Sequence, residues 1–421
     1  MHGDEPTAPR SPEPSAASPG PTAGETPPAV TAGTFATIWL ALFLDLFAFG
    51  IIIPVLPYYA KAHGASAAVV TLLSTSFSLA QFVMSPVLGR ISDQIGRRPV
   101  MMISIAGSCV SMLVLGFASA LWMVFAARVV SGICNANVST ANAYIADRVA
   151  PGDRARYMGM MGSAIGLGFV FGPAVGGLLS TEAIPELPFF CAAGLAFANL
   201  VMAWRFLPES RRATKGGAAA PRALSPLTAL RNLVAVRGTP LAALVVVTFG
   251  FFLAFSAMES TFALLTEARL SWGARQTGYL FTLVGVCIAF SQGVLLARAV
   301  RRWGERGALV SGMLVQGTGL AILAAAHAPW SMIVGSCALA LGNGLVSPAT
   351  SAIVSRVSSA DNQGLNQGIV QSGAALARIV GPALAGVLFE RIAPGAPMAV
   401  GAVIVLLVLL LGAPRIRIPA G

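Results

Sequence analysis

The chain has 421 residues, of which 56% are hydrophobic and only 10% are charged, and its mean hydropathy is +0.78. An ordinary soluble domain is about 25% charged, so this composition excludes a soluble fold and predicts that lipid covers the protein. The formal net charge of +11 would suit a nucleic-acid partner. No basic patch with interleaved aromatic residues occurs, however, and the basic residues lie in short loops, so no nucleic-acid partner is expected.

The N-terminal segment, residues 1–33, is rich in Pro, Ala, Ser, Gly and Thr. It lacks the apolar residues needed for a core, so we predict a disordered tail. The five cysteines are isolated within apolar runs, and the three histidines lie in the tail or near loops. No pair of them has metal-ligand spacing, and no metal or other cofactor is predicted.

Twelve apolar runs follow, each near the roughly 20 residues that cross a bilayer. They lie at about 35–57, 67–88, 100–119, 121–145, 157–179, 189–207, 241–265, 277–296, 309–326, 330–352, 364–389 and 398–412. We number them spans 1 to 12. Many contain Gly, Ser, Thr, Asn and Gln, which is typical of helices packed around a polar path. The predicted fold is an all-α membrane protein of twelve transmembrane helices.

The distribution of Lys and Arg predicts the orientation of the chain in the membrane. Most of these residues fall in loops on one side, whereas the other side holds only Lys61, Arg269, Arg275 and Arg391. By the positive-inside rule, the charged loops and both termini are cytoplasmic. The polar segment 208–240 reads as a cytoplasmic linker between six-helix bundles at 34–207 and 241–413, and 414–421 as a short cytoplasmic tail.

An internal repeat supports two pseudo-symmetric six-helix bundles. The polar loop Gly89–Arg98 recurs in degraded form at Ala297–Arg306, and Gly172-Pro173 in span 5 recurs as Gly381-Pro382 in span 11. The second loop copy has Arg301 where the first has Asp93. Parallel six-helix halves are one of the known plans of secondary transporters.

Three motifs resemble those of the major facilitator superfamily: Gly89-x3-Asp93-x2-Gly96-Arg97-Arg98, Arg128-x3-Gly132, and Gly159-x8-Gly168-x3-Gly172-Pro173-x2-Gly176-Gly177. The last is similar to the fifth-span motif of drug/proton antiporters. Leu44-Asp45-Leu46, Pro54-Val55-Leu56-Pro57 and Ala143-Tyr144-Ile145-Ala146-Asp147 resemble the tetracycline/proton antiporter branch in particular.

The resemblance implies roles for two groups of residues. It implies a gating cluster that locks the outward-facing state, formed by Gly89, Asp93, Gly96, Arg97, Arg98 and Asp147. It also implies an interface helix between the bundles, carrying Gly168, Gly172, Pro173, Gly176 and Gly177. From charge alone, Arg97 can pair with Asp147. For the gating cluster, the alternative is a topology signal with a surface ion pair. For the interface helix, the alternative is plain helix packing.

Four charged residues lie within the spans: Asp45, Arg128, Glu259 and Arg378. Each costs about 2.5–3.5 kcal/mol at the membrane centre, so a function or a partner is expected. Counted along their helices, Asp45 and Arg128 reach similar depths, and we predict that they meet. Our hypothesis is that Asp45 exchanges a proton and that Arg128 tunes the pKa of Asp45. The alternative is a permanent structural ion pair between them. Glu259 is a second proton candidate, and Arg378 can pair with it or touch substrate.

The predicted substrate cavity follows from the resemblance, in which spans 1, 4, 7 and 10 line the path. It favours Phe49, Asn135, Phe252, Phe255 and Asn343, together with Arg378. For each aromatic residue the alternative is packing against lipid or the core. Tetracycline exporters carry further carboxylates in spans 3 and 9, which here have none, so a metal–tetracycline cation is not the expected substrate.

The resemblance as a whole implies a monomeric bacterial inner-membrane transporter that exports a small amphipathic or drug-like molecule in exchange for protons. A proton-coupled or facilitative uptake carrier for a small metabolite, and a receptor or scaffold that transports nothing, are the alternatives. The sequence contains no GxxxxGK[ST] loop and no nucleophile or metal constellation, so neither an ATP-driven pump nor an enzyme is expected.

Overall fold

A computed structural model describes residues 31–149, 153–181, 183–209, 228, 231–233, 236, 240–358, 362–412 and 415–416. Within them the chain is almost entirely helical. Most of the predicted tails, 1–33 and 414–421, and of the predicted linker, 208–240, lies outside these residues.

The first six crossings of the membrane are formed by long apolar helices. Spans 1 to 6 run through Ala32–Ile52, Ala67–Ile95, Arg97–Gly116, Leu121–Arg148, Arg154–Leu179 and Leu187–Phe206. Spans 2 and 3 are separated by Gly96 alone, whose φ of +107° favours a residue without a side chain. A short helix, Leu56–Ala62, connects spans 1 and 2.

Span 4 is interrupted, which the sequence did not predict. Helix Leu121–Cys134 ends before Asn135, and a second helix, Asn137–Arg148, completes the crossing. The side chain of Asn135 accepts a hydrogen bond of 2.8 Å from Gln81 Nε2. Asparagine side chains offer the backbone alternatives to helix, and such a break is tolerated within a membrane where neighbouring polar groups bind it.

The second half repeats this plan. Span 7 is Pro240–Leu270, and spans 10 to 12 are Pro329–Val357, Gln363–Arg391 and Ala396–Gly412. Spans 8 and 9 lie in the continuous stretch Ala274–Ala324, which includes a π-helical turn at Ser291–Leu295. Gly304, with φ of +68° and ψ of 177°, breaks the helix between them. The described residues therefore give the twelve predicted crossings in two halves.

The two ends of the molecule differ in how close the halves approach each other. We call the side that carries the Gly96 and Gly304 turns the arginine-rich side, and the opposite side the arginine-poor side. Near the arginine-poor side, spans 5 and 8 touch: a Cβ on Gly278 would lie 2.6 Å from the Pro173 carbonyl oxygen, and one on Gly177 would lie 3.0 Å from the Ala274 carbonyl oxygen.

Toward the arginine-rich side this contact ends. The glycines of span 5 that precede Gly168, such as Gly159 and Gly162, face open space, and so does Gly293 of span 8. Gly172 of span 5, by contrast, packs against Gly50 of span 1, where a Cβ would come within 2.7 Å of the Gly50 Cα. The halves are thus closed at the arginine-poor side and separated at the arginine-rich side.

Candidate transport site

Asp45 is held within the N-terminal half by two uncharged partners. Ser108 of span 3 donates a hydrogen bond of 3.5 Å to Asp45 Oδ1, and the side chain of Asn137 bonds the same carboxylate. Asn137 is the first residue after the break in span 4, so the interruption of that helix places a polar side chain against Asp45. Asp45 itself is partly buried.

Arg128 does not meet Asp45, which corrects the prediction from sequence. Both residues lie in the described part of the chain, and no ion pair within 4.0 Å joins them. Arg128 is 5% exposed, and its guanidinium lies 4.4 Å from the Phe77 ring centroid and 5.8 Å from that of Phe49. The depth of a residue in the membrane follows from the sequence, whereas the direction in which its helix faces does not. The aromatic rings supply the cation–π contact that a buried guanidinium needs.

A cavity of about 260 Å³ lies between the two halves. It is lined by five of the residues predicted for proton coupling or substrate contact: Phe252, Phe255, Glu259, Asn343 and Arg378. The N-terminal half contributes Phe169 and Pro173 of span 5, and Ile53. The interface helix and the predicted substrate residues of the second half therefore meet at one place. Phe49 and Asn135 are not among the residues that line this cavity.

Two opposite charges face this cavity. Glu259 is partly exposed and Arg378 is exposed, although both lie roughly 15–20 Å along their helices from the arginine-poor ends. The Arg378 guanidinium lies 5.3 Å from the centroid of the Phe252 ring. In the described chain, neither Glu259 nor Arg378 makes a hydrogen bond or an ion pair within 4.0 Å.

A latch on the arginine-poor side joins the halves, and it was not identified from sequence. The Tyr58 hydroxyl of the N-terminal half lies 3.0 Å from the Trp272 carbonyl oxygen and 2.8 Å from the Thr277 hydroxyl of the second half. Burial raises the pKa of Tyr58, so its hydroxyl keeps the proton that it donates. Lys61 pairs with Glu267 at 2.7 Å.

Glu390 at the end of span 11 adds to this latch by accepting a 2.8 Å hydrogen bond from the backbone N–H of Ala68. One signal in the sequence could have revealed part of the latch. Lys61 and Glu267 are opposite charges in the loops of the side that has few charges, one from each half.

The predicted gating cluster is assembled on the arginine-rich side. Arg97 binds Asp93 at 2.8 Å through Nη1 and Asp147 at 2.9 Å through Nε, and its side chain is 9% exposed. The Glu209 carboxylate accepts hydrogen bonds of 2.9 and 3.2 Å from the backbone N–H groups of Arg97 and Arg98. Glu209, which follows span 6, therefore caps the N-terminus of span 3.

The remaining members of the cluster surround this ion pair. Arg98 donates a 2.5 Å hydrogen bond to the Trp204 carbonyl oxygen. A Cβ on Gly96 would lie 2.5 Å from a Glu209 carboxylate oxygen, whereas Gly89 faces open space. In the second half, Glu305 beside Gly304 binds Arg356 at the end of span 10, at 2.7 Å.

Comparisons with known proteins agree with this architecture. The chain is 33% identical over 350 residues to the class C tetracycline resistance protein of Escherichia coli, covering 82% of this chain and 87% of that protein. It is 35% identical over 347 residues to the class G protein of Vibrio anguillarum, with the same coverage. The crystal structure of the human organic anion transporter MFSD10 (TETRAN) aligns with a TM-score of 0.69 and 27% identity, covering 90% of this chain and 98% of that one.

The family model described as Major Facilitator Superfamily matches residues 38–274 and 265–420, which is nearly the whole chain after the N-terminal tail. Proteins of this family are multi-pass membrane transporters of small molecules and not enzymes. The matched residues include both halves, the cavity between them and the two charged loops. The chain therefore belongs to the major facilitator superfamily, among relatives that include tetracycline resistance proteins.

Proposed function

We propose that this protein exports a small amphipathic or drug-like molecule in exchange for protons, by alternating access. It acts as a monomer in the bacterial inner membrane, with the arginine-rich side and both termini in the cytoplasm. The observation that carries this proposal is the cavity between the halves, where the acid Glu259 and the base Arg378 face a space walled by Phe252 and Phe255. Ionisable side chains at this depth are costly and are kept for ion or substrate pathways.

The proton sites in this proposal are Asp45 and Glu259, one acid in each half. Asp45 lies against the hydroxyl of Ser108 and the amide of Asn137, which can bind either protonation state. Arg128 is buried on the rings of Phe77 and Phe49 in the N-terminal half. We assign it the role of a fixed positive charge beside the proton path.

We assign this conformation to the inward-facing state of the cycle, and the closed latch and the separated spans support that assignment. The Tyr58 and Lys61 contacts close the outer side, while Gly159 and Gly162 of span 5 face open space on the cytoplasmic side. In the outward-facing state the latch opens and the cytoplasmic ends come together. The Asp93–Arg97–Asp147 cluster is already formed here within the N-terminal half. Its part in locking that second state is therefore to contact the second half, and span 5 limits leak between the halves.

The energy of the proton gradient is sufficient for such export. One charge that moves through about 100 mV releases about 2.3 kcal/mol. Because about 1.4 kcal/mol corresponds to a tenfold ratio, one proton sustains a gradient of roughly 50-fold. A drug or a toxic metabolite would be kept at low cytoplasmic concentration by this ratio.

The test is substrate-triggered proton flux in liposomes that contain a pH dye. A panel of antibiotics and lipophilic amines is added to wild type, Asp45→Asn, Glu259→Gln and the control Glu186→Gln, which removes an acid in a loop. We expect flux with wild type and the control, and at least a tenfold loss in Asp45→Asn or Glu259→Gln. Full flux in both of these variants would overturn their assignment as proton sites.

An uptake carrier for a small metabolite is the alternative, and the direction of proton movement decides between the two. In antiport, substrate added on one side drives protons toward that side. In proton-coupled uptake, substrate and protons move together. A facilitator moves substrate with no proton flux in either direction.

A further inference from the structure

The central cavity presents one acid and one base that do not satisfy each other. Glu259 of span 7 and Arg378 of span 11 both line it, and no ion pair within 4.0 Å joins them in the described chain. Charged groups at membrane depth that are left without close partners cost free energy. The two groups are thus positioned for partners that come from outside the protein.

The surroundings of Arg378 favour a planar anion. Its guanidinium is exposed to the cavity and lies over Phe252, which restricts its orientation and leaves its N–H groups free of hydrogen bonds within the described chain. A guanidinium matches a carboxylate through two parallel hydrogen bonds, which an ammonium cannot do. Arg378 is therefore suited to an organic acid.

Glu259 has the opposite preference. A carboxylate in an aromatic cavity binds an amine, and a proton competes with that amine for the same oxygens. A proton has the opposite effect on an anion at Arg378. Protonation of Glu259 removes a negative charge that repels the anion, so it strengthens anion binding. Exchange of substrate for a proton at this site thus requires a cationic group at Glu259, while Arg378 requires an anionic group.

The rest of the cavity fits the body that would join these two groups. Its walls include Phe169, Phe255, Phe262 and Phe281, and Asn343 and Ser336 supply polar contacts. Its volume of about 260 Å³ admits a compact aromatic molecule. Rings that pack on aromatic walls gain binding energy in any orientation, so the two charges would set the orientation of the ligand.

We propose that the substrates of this site are amphipathic zwitterions, with an aromatic body, a carboxylate that binds Arg378 and an amine that binds Glu259. This assignment rests on the export function proposed above and names its substrate class. The amine displaces the proton of Glu259, and the carboxylate holds the molecule in the cavity. Cations of the same shape bind less well, because Arg378 then has no anion to bind and repels them.

The first experiment uses three ligands that share one aromatic body. Norfloxacin carries both charges, its methyl ester keeps only the amine, and its N-acetyl derivative keeps only the carboxylate. Substrate-triggered proton flux in liposomes is measured for each. We expect norfloxacin to give half-maximal flux at a concentration at least tenfold lower than the ester, and the N-acetyl derivative to release no proton.

The outcomes separate this inference from the proposed function. If the ester drives proton release as well as norfloxacin or better, export stands and the zwitterion assignment is wrong. If no ligand drives proton flux, including the wider panel of antibiotics and amines, the export function itself fails. If only the N-acetyl derivative accelerates proton flux, and protons move in the same direction as that substrate, both the zwitterion assignment and the proposed proton antiport are contradicted.

The second experiment changes the protein. In Arg378→Ala, we expect norfloxacin to lose at least tenfold in apparent affinity while its ester loses less than twofold or gains. The control Arg275→Ala removes an arginine from the first turn of span 8, which does not line this cavity, and should change neither. Arg378→Lys keeps the charge without the planar fork and should recover norfloxacin flux only in part. Equal losses for both ligands in Arg378→Ala, with an unchanged apparent Tm, would assign Arg378 to a structural pair with Glu259.

Discussion

The loop between spans 2 and 3 and the loop between spans 8 and 9 have the same geometry with opposite charges. In the first, Arg97 follows Gly96 and binds Asp147 at the end of span 4. In the second, Glu305 follows Gly304 and binds Arg356 at the end of span 10. Both glycines have positive φ, at +107° and +68°.

In the two loops the repeat keeps an ion pair at equivalent positions but reverses its charges. Arg301 stands where the first loop has Asp93, so the three positions of the Asp93–Arg97–Asp147 cluster carry opposite charges in the two halves, while the other two charged positions of the first loop are arginine in both. The second loop thus forms an ion pair at the equivalent place with the charges reversed, although it does not match the motif. The loops differ in burial: the Arg97 and Asp147 side chains are 9% and 27% exposed, whereas Glu305 and Arg356, which take their places, are 15% and 53% exposed. An ion pair contributes more, and costs more when broken, where it is withdrawn from water.

The largest effect is expected when one charge of the buried cluster is reversed. Asp147→Arg places a guanidinium against Arg97, and breaking a buried pair costs about 3–5 kcal/mol. We expect transport to fall at least about tenfold. The triple variant Asp93→Arg, Arg97→Glu, Asp147→Arg gives the first loop the charges of the second and should recover much of the loss. Proton flux in liposomes measures both; a triple variant no better than the single one would show that the charge order itself matters.

The two glycines give the next contrast. Alanine at either position is strained by about 1–3 kcal/mol, because both have positive φ. A Cβ at Gly96 would also lie 2.5 Å from the Glu209 carboxylate, whereas Gly304 faces open space. Gly96→Ala should therefore lower the apparent Tm more than Gly304→Ala. Intrinsic tryptophan fluorescence during heating measures this difference, and equal shifts would mean that Glu209 moves aside without cost.

A smaller effect is expected from the cap on span 3. The Glu209 carboxylate accepts hydrogen bonds from Arg97 and Arg98, and its charge lies at the positive end of that helix. Glu209→Gln keeps the size but loses the charge, so we expect a loss of about 0.5–2 kcal/mol in stability. The apparent Tm should fall by a few degrees at low salt, and by less at high salt. A loss independent of salt would point to packing in place of charge.

The smallest effect is expected from the exposed pair of the second loop. Glu305→Gln removes the partner of Arg356, and an ion pair this exposed contributes about 0–1 kcal/mol. Transport should change by less than about twofold. Asp147→Asn, measured in the same preparation, is the matched neutral substitution in the first loop. If both variants lost the same transport activity, burial would not explain the difference between the loops.

The sequence predicted the fold and the part of the cavity that the second half contributes, because both depend on patterns along single helices. Apolar runs of bilayer length gave the twelve crossings, and the repeat gave the two halves. The Arg97–Asp147 pair was predicted from charge and is present at 2.9 Å. Glu259, Arg378 and Asn343 were named for their chemistry, and the structure places them around one cavity. Their roles in transport stay predictions.

What the sequence did not predict depends on how helices face each other. Asp45 and Arg128 have similar depths, yet Asp45 bonds Ser108 and Asn137 while Arg128 lies on Phe77. The latch at Tyr58 requires contacts between residues more than 200 positions apart, which no local pattern encodes. The Glu305–Arg356 pair is hidden in the repeat because its charges are the reverse of those of Arg97 and Asp147.

The open end of span 5 is a place where the transport cycle could be stopped by a steric wedge. Gly159 and Gly162 have room for a side chain here, whereas Gly172 has none. A Gly162→Leu variant would fit this conformation but would block the approach of the two halves on the arginine-rich side. Such a protein would bind its ligand and never release it outside, a kinetic trap suited to capturing the substrate for structure determination.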